Sequence, residues 1–155
     1  MSQFTTDWTM SYWVYRTANS WSSNIIYSQW NPSTRWMVIT WINTSNKLLF
    51  GFYADDYTGT TSMELNKRYN LVFTYNYTSR QYIWYINWSS DLSWTLSAQY
   101  SVPTTTWYIW ALANAPTNSG YRYIWKLSEF IIEDKARTAQ EIANYYNQTK
   151  SKYGL

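Results

Sequence analysis

The stretches YNLVFTY (69–75) and YIWYI (82–86) decide the fold, because both are rich in aromatic and branched aliphatic residues and end at polar segments. The segment Tyr77-Thr78-Ser79 between them predicts a hairpin loop. A half-buried strand alternates apolar with polar residues, but these two stretches are largely apolar at odd and even positions alike. We therefore expect one face to pack against the core and the other to be covered or to bind a ligand.

The same pattern continues outward from this hairpin in both directions. Short runs rich in Val, Ile, Tyr, Trp, Phe and Thr alternate with clusters of Asn, Ser, Thr and Pro. Such spacing is typical of a β-sandwich or barrel. Residues 87–92 are predicted to form a turn, and the predicted strands are 9–16, 24–29, 36–43, 47–54, 69–76, 80–87, 93–99, 107–113 and 121–133.

One helix is predicted near the C-terminus. Thr138 and Glu141 have the spacing of a capping box, in which each side chain bonds the backbone N–H of the other residue. Ile142, Tyr145 and Tyr146 then form one apolar stripe at helical spacing. We place the helix at residues 139–148 and interpret residues 149–155 as a polar tail.

The composition excludes several classes of function. The 155 residues include no Cys, which excludes disulfides and thiolate nucleophiles, and no His, which excludes the Ser-His-Asp triad and imidazole metal ligands. The net charge is +3, and the basic residues are scattered, so no nucleic-acid partner is expected. No apolar run approaches the ~18 residues of a membrane span, and no signal peptide is visible, so membrane insertion is not expected either.

An ordered set of segments in this chain resembles a known family. The segments are MSYWVY (10–15), KRYNLVFTY (67–75), YIWYIN (82–87), YI (108–109), KLSEFII (126–132) and ARTAQEI (136–142). Over residues 8–148 the set is similar to the laminin-G-like branch of the concanavalin A-like lectin/glucanase superfamily. The resemblance implies an all-β fold, an antiparallel β-sandwich of the jelly-roll type with one short C-terminal helix. Such domains usually begin with further strands, so we expect one domain over residues 1–155 that lacks its first strand or is a piece of a longer protein.

The Trp and Gly contents are unbalanced. The chain has 12 Trp and 4 Gly, whereas average usage predicts roughly 11 glycines in this length. At Asn87-Trp88 the family has Asn-Gly, and a type I′ turn needs a positive φ that Trp resists. Two interpretations stay open: a codon that the host reads as Gly, or genuine Trp residues that form an unusual aromatic surface. The ten positions are Trp8, Trp21, Trp30, Trp36, Trp41, Trp88, Trp94, Trp107, Trp110 and Trp125.

Tyrosines near predicted loops and strand ends are the candidate ligand-binding residues. Flat aromatic rings stack on the C–H faces of sugars, and neighbouring amides bond the hydroxyl groups. Asp55 and Asp56 are the adjacent acidic pair in a stretch that resembles a loop, and they are the candidate ligands for calcium, which is a candidate cofactor. The candidate sugar-binding residues are Tyr53, Tyr57, Tyr77, Tyr121, Tyr123 and Asn118.

The resemblance implies a non-catalytic recognition module. A glucanase of this superfamily would carry Glu-x-Asp-x-Glu on one strand, but here Ile131 stands between Glu129 and Glu133. We expect a glycan-binding part of an extracellular adhesin or of a phage virion fibre or decoration protein, located outside the cell or on the virion surface. The alternatives are a structural or protein-binding module, which assembles with other chains of a larger particle, and, less favoured, a glucanase.

Overall fold

The computed structural model describes residues 6–17, 24–29, 38–52, 55–99, 107–109 and 126–155, and these contain two antiparallel five-stranded sheets. The first sheet has the order β10-β1-β6-β7-β8, and the second has the order β5-β4-β3-β2-β9. The strands of the first sheet are β1 (Trp8–Tyr15), β6 (Arg68–Tyr75), β7 (Gln81–Ile86), β8 (Ser89–Thr95) and β10 (Lys126–Glu133). Those of the second are β2 (Asn24–Gln29), β3 (Val38–Ile42), β4 (Lys47–Phe52), β5 (Asp55–Ser62) and β9 (Trp107–Ile109).

The two sheets pack face to face around an aromatic core. The core joins alternate residues of the first sheet to Ile42, Leu48 and Phe50 of the second. The Phe50 and Phe73 ring centroids are 5.3 Å apart, and the Tyr12 hydroxyl donates a hydrogen bond of 3.1 Å to Thr40 Oγ1 across the interface. Burial of each such large apolar side chain contributes about 1.5–3 kcal/mol. The predicted antiparallel β-sandwich is confirmed.

The outer face of the first sheet is covered by the C-terminal segment. Helix α1 (Ala139–Thr149) is followed by a 3-10 helix (Lys150–Tyr153), and both lie on this face. The Trp13 ring lies 4.3 Å from the Tyr153 ring and 5.7 Å from the Tyr146 ring, centroid to centroid. The expectation of a covered second face is thus confirmed. The predicted polar tail at 149–155 is wrong, because Tyr153 is buried against Trp13.

The predicted capping box forms at the start of α1. Thr138 Oγ1 accepts a hydrogen bond of 3.2 Å from Glu141 N, and Thr138 N donates one of 2.8 Å to Glu141 Oε2. Lys135 Nζ lies 2.7 Å from Oε1 of the same carboxylate. The Lys135 and Thr138 donors lower the pKa of Glu141 from 4.5 to about 2. The helix prediction is confirmed to within one residue at its C-terminal end.

Two boundaries differ from the sequence prediction because strand pairing overrides local composition. The stretch that resembled a loop at Asp55 and Asp56 is the start of β5, whose residues pair with β4. The predicted turn at 87–92 is only the two residues Asn87 and Trp88, and β8 begins at Ser89. Within the described ranges, no helix is both long and apolar enough to cross a membrane.

The described Trp residues do not occupy the conformation that favours Gly. In the described part of the chain, a positive φ occurs at Asn87 (62°) but not at Trp88, so this turn does not need two left-handed residues. Trp8 is buried in the core, 5.9 Å from the Tyr75 ring, centroid to centroid. Trp88, by contrast, is 54% exposed. Trp8 therefore acts as a core residue in this fold.

Replacement of Trp8 and of Trp88 by Gly separates the two interpretations of the Trp content. We expect Trp8→Gly to lower the free energy of unfolding by at least about 3 kcal/mol, because it leaves a large cavity. Trp88→Gly should change it by less than about 1 kcal/mol, because the side chain is exposed and the turn tolerates Gly. Urea denaturation measures both. A Trp8→Gly variant as stable as the original chain would favour the recoding interpretation.

The charge of Glu141 gives the capping box a pH dependence. Because the folded-state pKa of about 2 lies below the ordinary 4.5, this stabilisation is complete above pH 4.5 and is lost as the pH falls towards 2. Gln retains the capping hydrogen bonds but not the charge. We expect Glu141→Gln to melt at a lower temperature than the original chain at about pH 6, and the two to converge near pH 2. A difference that does not depend on pH would contradict this account.

Candidate functional site

An aromatic pair closes one open edge of the sandwich. Tyr57 lies on β5 and Trp94 on β8, which are the edge strands of the two sheets on the same side. Their ring centroids are 4.4 Å apart with a 35° tilt. The register explains the meeting, because Tyr57 pairs with Phe50 and Trp94 pairs with Tyr82, and both partners belong to the core. Paired residues share a face, so the two edge side chains extend the core layer outward.

The Trp94 ring is the accessible part of this pair. Trp94 is 44% exposed, whereas Tyr57 is half-buried and has its ring centroid 6.1 Å from that of core residue Tyr82. We call Tyr57 and Trp94 the edge platform. Packing against Tyr57 fixes the orientation of the exposed indole, so a ligand that stacks on the indole need not order a mobile side chain.

Polar side chains lie on the strands beside the platform. Gln81 Nε2 donates a hydrogen bond of 3.2 Å to Ser93 Oγ, next to Trp94 in sequence. Arg80, the residue before β7, donates from Nη1 to the Ser97 carbonyl at 2.9 Å, and its φ of 59° is left-handed. These amide, hydroxyl and guanidinium groups are exposed or half-buried. Consecutive strand residues point to opposite faces, so Ser93 and its partner Gln81 lie on the face of the sheet opposite to Trp94. The exposed indole itself offers a flat surface that can stack on a pyranose ring.

A buried carboxylate holds the two edge strands together. Asp91 Oδ1, on β8, accepts hydrogen bonds from Thr61 N (2.8 Å), Thr60 Oγ1 (2.9 Å) and Thr60 N (3.2 Å) on β5. Asp91 is 8% exposed, and its Oδ2 accepts no hydrogen bond from the described residues. Gly59 leaves the room that this carboxylate needs, because a Cβ there would lie 1.9 Å from Oδ2. Asp91 and Gly59 therefore set the distance between the strands that carry Tyr57 and Trp94.

The structure brings one of the predicted sugar-binding residues to the platform. Tyr57 is that residue. Tyr77 packs against the core from the β6–β7 loop, where its backbone N–H donates a hydrogen bond of 2.8 Å to Asp7.

Sequence reasoning missed Trp94 as a ligand contact because its context resembled that of a Gly. The period-2 spacing of Leu92 and Trp94 was the signal that could have identified it. The predicted residues Tyr53, Tyr121, Tyr123 and Asn118 lie outside the described residues.

The predicted calcium ligands lie on a strand. Asp55 and Asp56 are consecutive residues of β5, paired with Phe52 and Gly51. In the described ranges no group of three or more acidic side chains is arranged to hold a metal ion. The calcium site therefore stays a prediction.

The two carboxylates considered for a glucanase are both in ion pairs. Glu129 contacts Lys152 Nζ and accepts a hydrogen bond of 3.0 Å from the Tyr145 hydroxyl, and Glu133 contacts Arg137. Lys152 is the main cause that lowers the pKa of Glu129. Glu129 also has a φ of 50°, at the irregularity where β10 pairs with β1. An ionised Glu129 held by α1 and the 3-10 helix is unsuited to general-acid catalysis.

Comparisons with known proteins agree with this architecture. The family model for the concanavalin A-like lectin/glucanases superfamily matches residues 1–143. A search of characterised protein sequences finds no match.

Solved structures with the same fold include proteins of different activity. A heptameric SAP-like pentraxin from Limulus polyphemus has 13% identity and a TM-score of 0.68, over 91% of this chain and 70% of the pentraxin. A putative carbohydrate binding protein from Bacteroides ovatus has 16% identity and a TM-score of 0.72, over 89% and 40% of the two chains. The sialidase of Trypanosoma rangeli has 14% identity and a TM-score of 0.71, over 94% and 23%. The chain thus spans less than half of the last two proteins, and at these identities the likeness is one of fold.

The clearance at Gly59 can be tested without touching the aromatic rings. We expect Gly59→Ala to destabilise the chain by about 1–3 kcal/mol, because the new methyl group overlaps the Asp91 carboxylate. Thr58→Ala, at the neighbouring exposed position of the same strand, should have little effect. Urea denaturation of both variants measures the difference, and equal stability of the two would refute the close approach.

Proposed function

This chain belongs to the concanavalin A-like lectin/glucanase superfamily, and we propose that within it the chain is a glycan-binding recognition module without catalytic activity. The edge platform is the observation that carries the proposal. Its exposed indole packs against Tyr57, and the hydrogen bonds from β5 to Asp91 hold together the two strands that carry these rings. Aromatic groups of this kind contribute strongly to binding because little conformational entropy is lost.

The named neighbours support sugar recognition in general terms. One similar fold is described as a putative carbohydrate binding protein, and another belongs to a pentraxin. Because a sialidase also shares the fold, the fold by itself does not separate binding from catalysis. The case against a glucanase rests on Glu129 and Glu133, since each is paired with a cation and no carboxylate stands at position 131.

We extend the proposal to the setting in which such a module acts. A glycan-binding β-sandwich suits an extracellular adhesin or a virion fibre or decoration protein, where it would meet cell-surface sugars. A calcium ion at the Asp55–Asp56 end of β5 remains part of the proposal. The alternative is a structural or protein-binding module, in which the edge platform contacts another chain instead of a sugar.

A glycan array with paired Trp variants tests the function. We expect the chain to bind a defined set of glycans and Trp94→Ala to weaken that binding by at least about tenfold, since a stacked aromatic ring is lost. Trp88→Ala is the matched control, because Trp88 is also exposed but packs against Tyr146 of α1, with 4.7 Å between the ring centroids. Arrays run with calcium and with a chelator test the metal requirement.

Two results would count against the proposal. Equal binding by the original chain and Trp94→Ala would remove the edge platform from the site. The alternative function would be established by two results together. The array binds no glycan, and the chain associates with itself or with another protein in a way that Trp94→Ala abolishes.

A further inference from the structure

Two exposed basic residues lie at one end of the first sheet. Among the described residues, neither Arg68 nor Lys126 belongs to an ion pair, and both are exposed. The described ion pairs are Glu64–Lys67, Glu141–Lys135, Glu133–Arg137 and Glu129–Lys152.

Arg68 and Lys126 meet at a single tyrosine ring. Tyr15, at the end of β1, pairs with Lys126 on β10 and with Arg68 on β6. The Arg68 guanidinium carbon lies 5.3 Å and the Lys126 Nζ 5.8 Å from the Tyr15 ring centroid. The guanidinium carbon also lies 5.9 Å from the centroid of Tyr153 in the 3-10 helix. We call Lys126, Tyr15, Arg68 and Tyr153 the cation–tyrosine strip.

The strip is electrostatically incomplete. Two positive charges flank one ring and repel each other, and the ring faces offset that repulsion only in part. The neighbouring carboxylates do not offset it, because Glu129 contacts Lys152 and Glu64 contacts Lys67. A guanidinium presents a planar fork of donors that fits a carboxylate, sulfate or phosphate group. An external anion would therefore complete the charge balance that this surface lacks.

We propose that the cation–tyrosine strip binds an acidic polysaccharide through the carboxylate or sulfate groups of that polymer. Two cations suit a few spaced anionic groups on a sugar chain. A DNA site commonly neutralises about 6–10 phosphates, which is more than this strip can do. The strip lies at the start of β6, where Arg68 pairs with Tyr15. The edge platform lies at the other end of β6, because Tyr75 pairs with Tyr82 and Tyr82 pairs with Trp94. This site is therefore separate from the edge platform and does not depend on the function proposed for it.

Binding of the full chain to charged and neutral polymers tests the strip. We expect dextran sulfate or polygalacturonate to bind more tightly than neutral dextran, and Arg68→Gln combined with Lys126→Gln to weaken that binding at least about tenfold. The charge control is Lys135→Gln, which removes one charge from the opposite end of the first sheet and is compared with Arg68→Gln and Lys126→Gln as single variants. Gln keeps much of each aliphatic stem, and thermal melting checks that every variant folds. Comparison of the two acidic polymers identifies sulfate or carboxylate as the recognised group.

Three results would overturn the proposal. Equal loss of binding in Lys135→Gln and in the single variants of Arg68 and Lys126 would mean that net charge alone attracts the polymer. Equal binding of neutral dextran would remove the role of charge, and competition by duplex DNA as strong as that by dextran sulfate would replace a polysaccharide site with general polyanion binding. Trp94→Ala should leave the strip's binding unchanged, so failure of the glycan-binding proposal and failure of this one are distinguishable.

Discussion

Strands β1, β6 and β7 bury large side chains on both faces of one sheet, and the rest of the fold is arranged to cover those faces. On the inner side, aromatic residues of the first sheet pack against Phe50 of the second. On the outer side, Trp13 stacks with Tyr146 and Tyr153. A sheet with this sequence would expose a large apolar surface without its C-terminal segment, and such surfaces promote aggregation. The helix and the 3-10 helix are therefore structural parts of the sandwich.

The edge of a sandwich is the place where its two layers must be closed. Edge strands expose unpaired backbone groups, which natural proteins cover or block. In this chain, Asp91 takes up backbone N–H groups of β5, and the rings of Tyr57 and Trp94 cover the gap between the sheets. The same interactions that close the edge also hold an indole at the surface. Structural closure and the proposed sugar contact thus share one set of residues.

Some charged residues of this chain stabilise the fold, and others lie exposed at its surface. Carboxylates such as Glu129 and Glu141 hold the C-terminal segment through Lys152 and the helix cap. Arg16 is buried and contacts the Met63 carbonyl and Asn46 Oδ1. Burial lowers the pKa of Arg16, because desolvation disfavours the charged form. With the acidic residues used in this way, the exposed cations of the cation–tyrosine strip are left for an external anion.

The sequence by itself determined those features that depend on near neighbours. The two-faced strands at 69–75 and 82–86 follow from composition and period, and the Thr138–Glu141 cap follows from a spacing of three residues. The order of its segments was enough to identify the family. Only the tertiary structure decided that Asp55–Ser62 forms an edge strand, that Trp94 reaches Tyr57, and that Tyr153 returns to Trp13. Each of these depends on register and pairing between residues far apart in the chain, and local sequence periodicity carries no information about such partners.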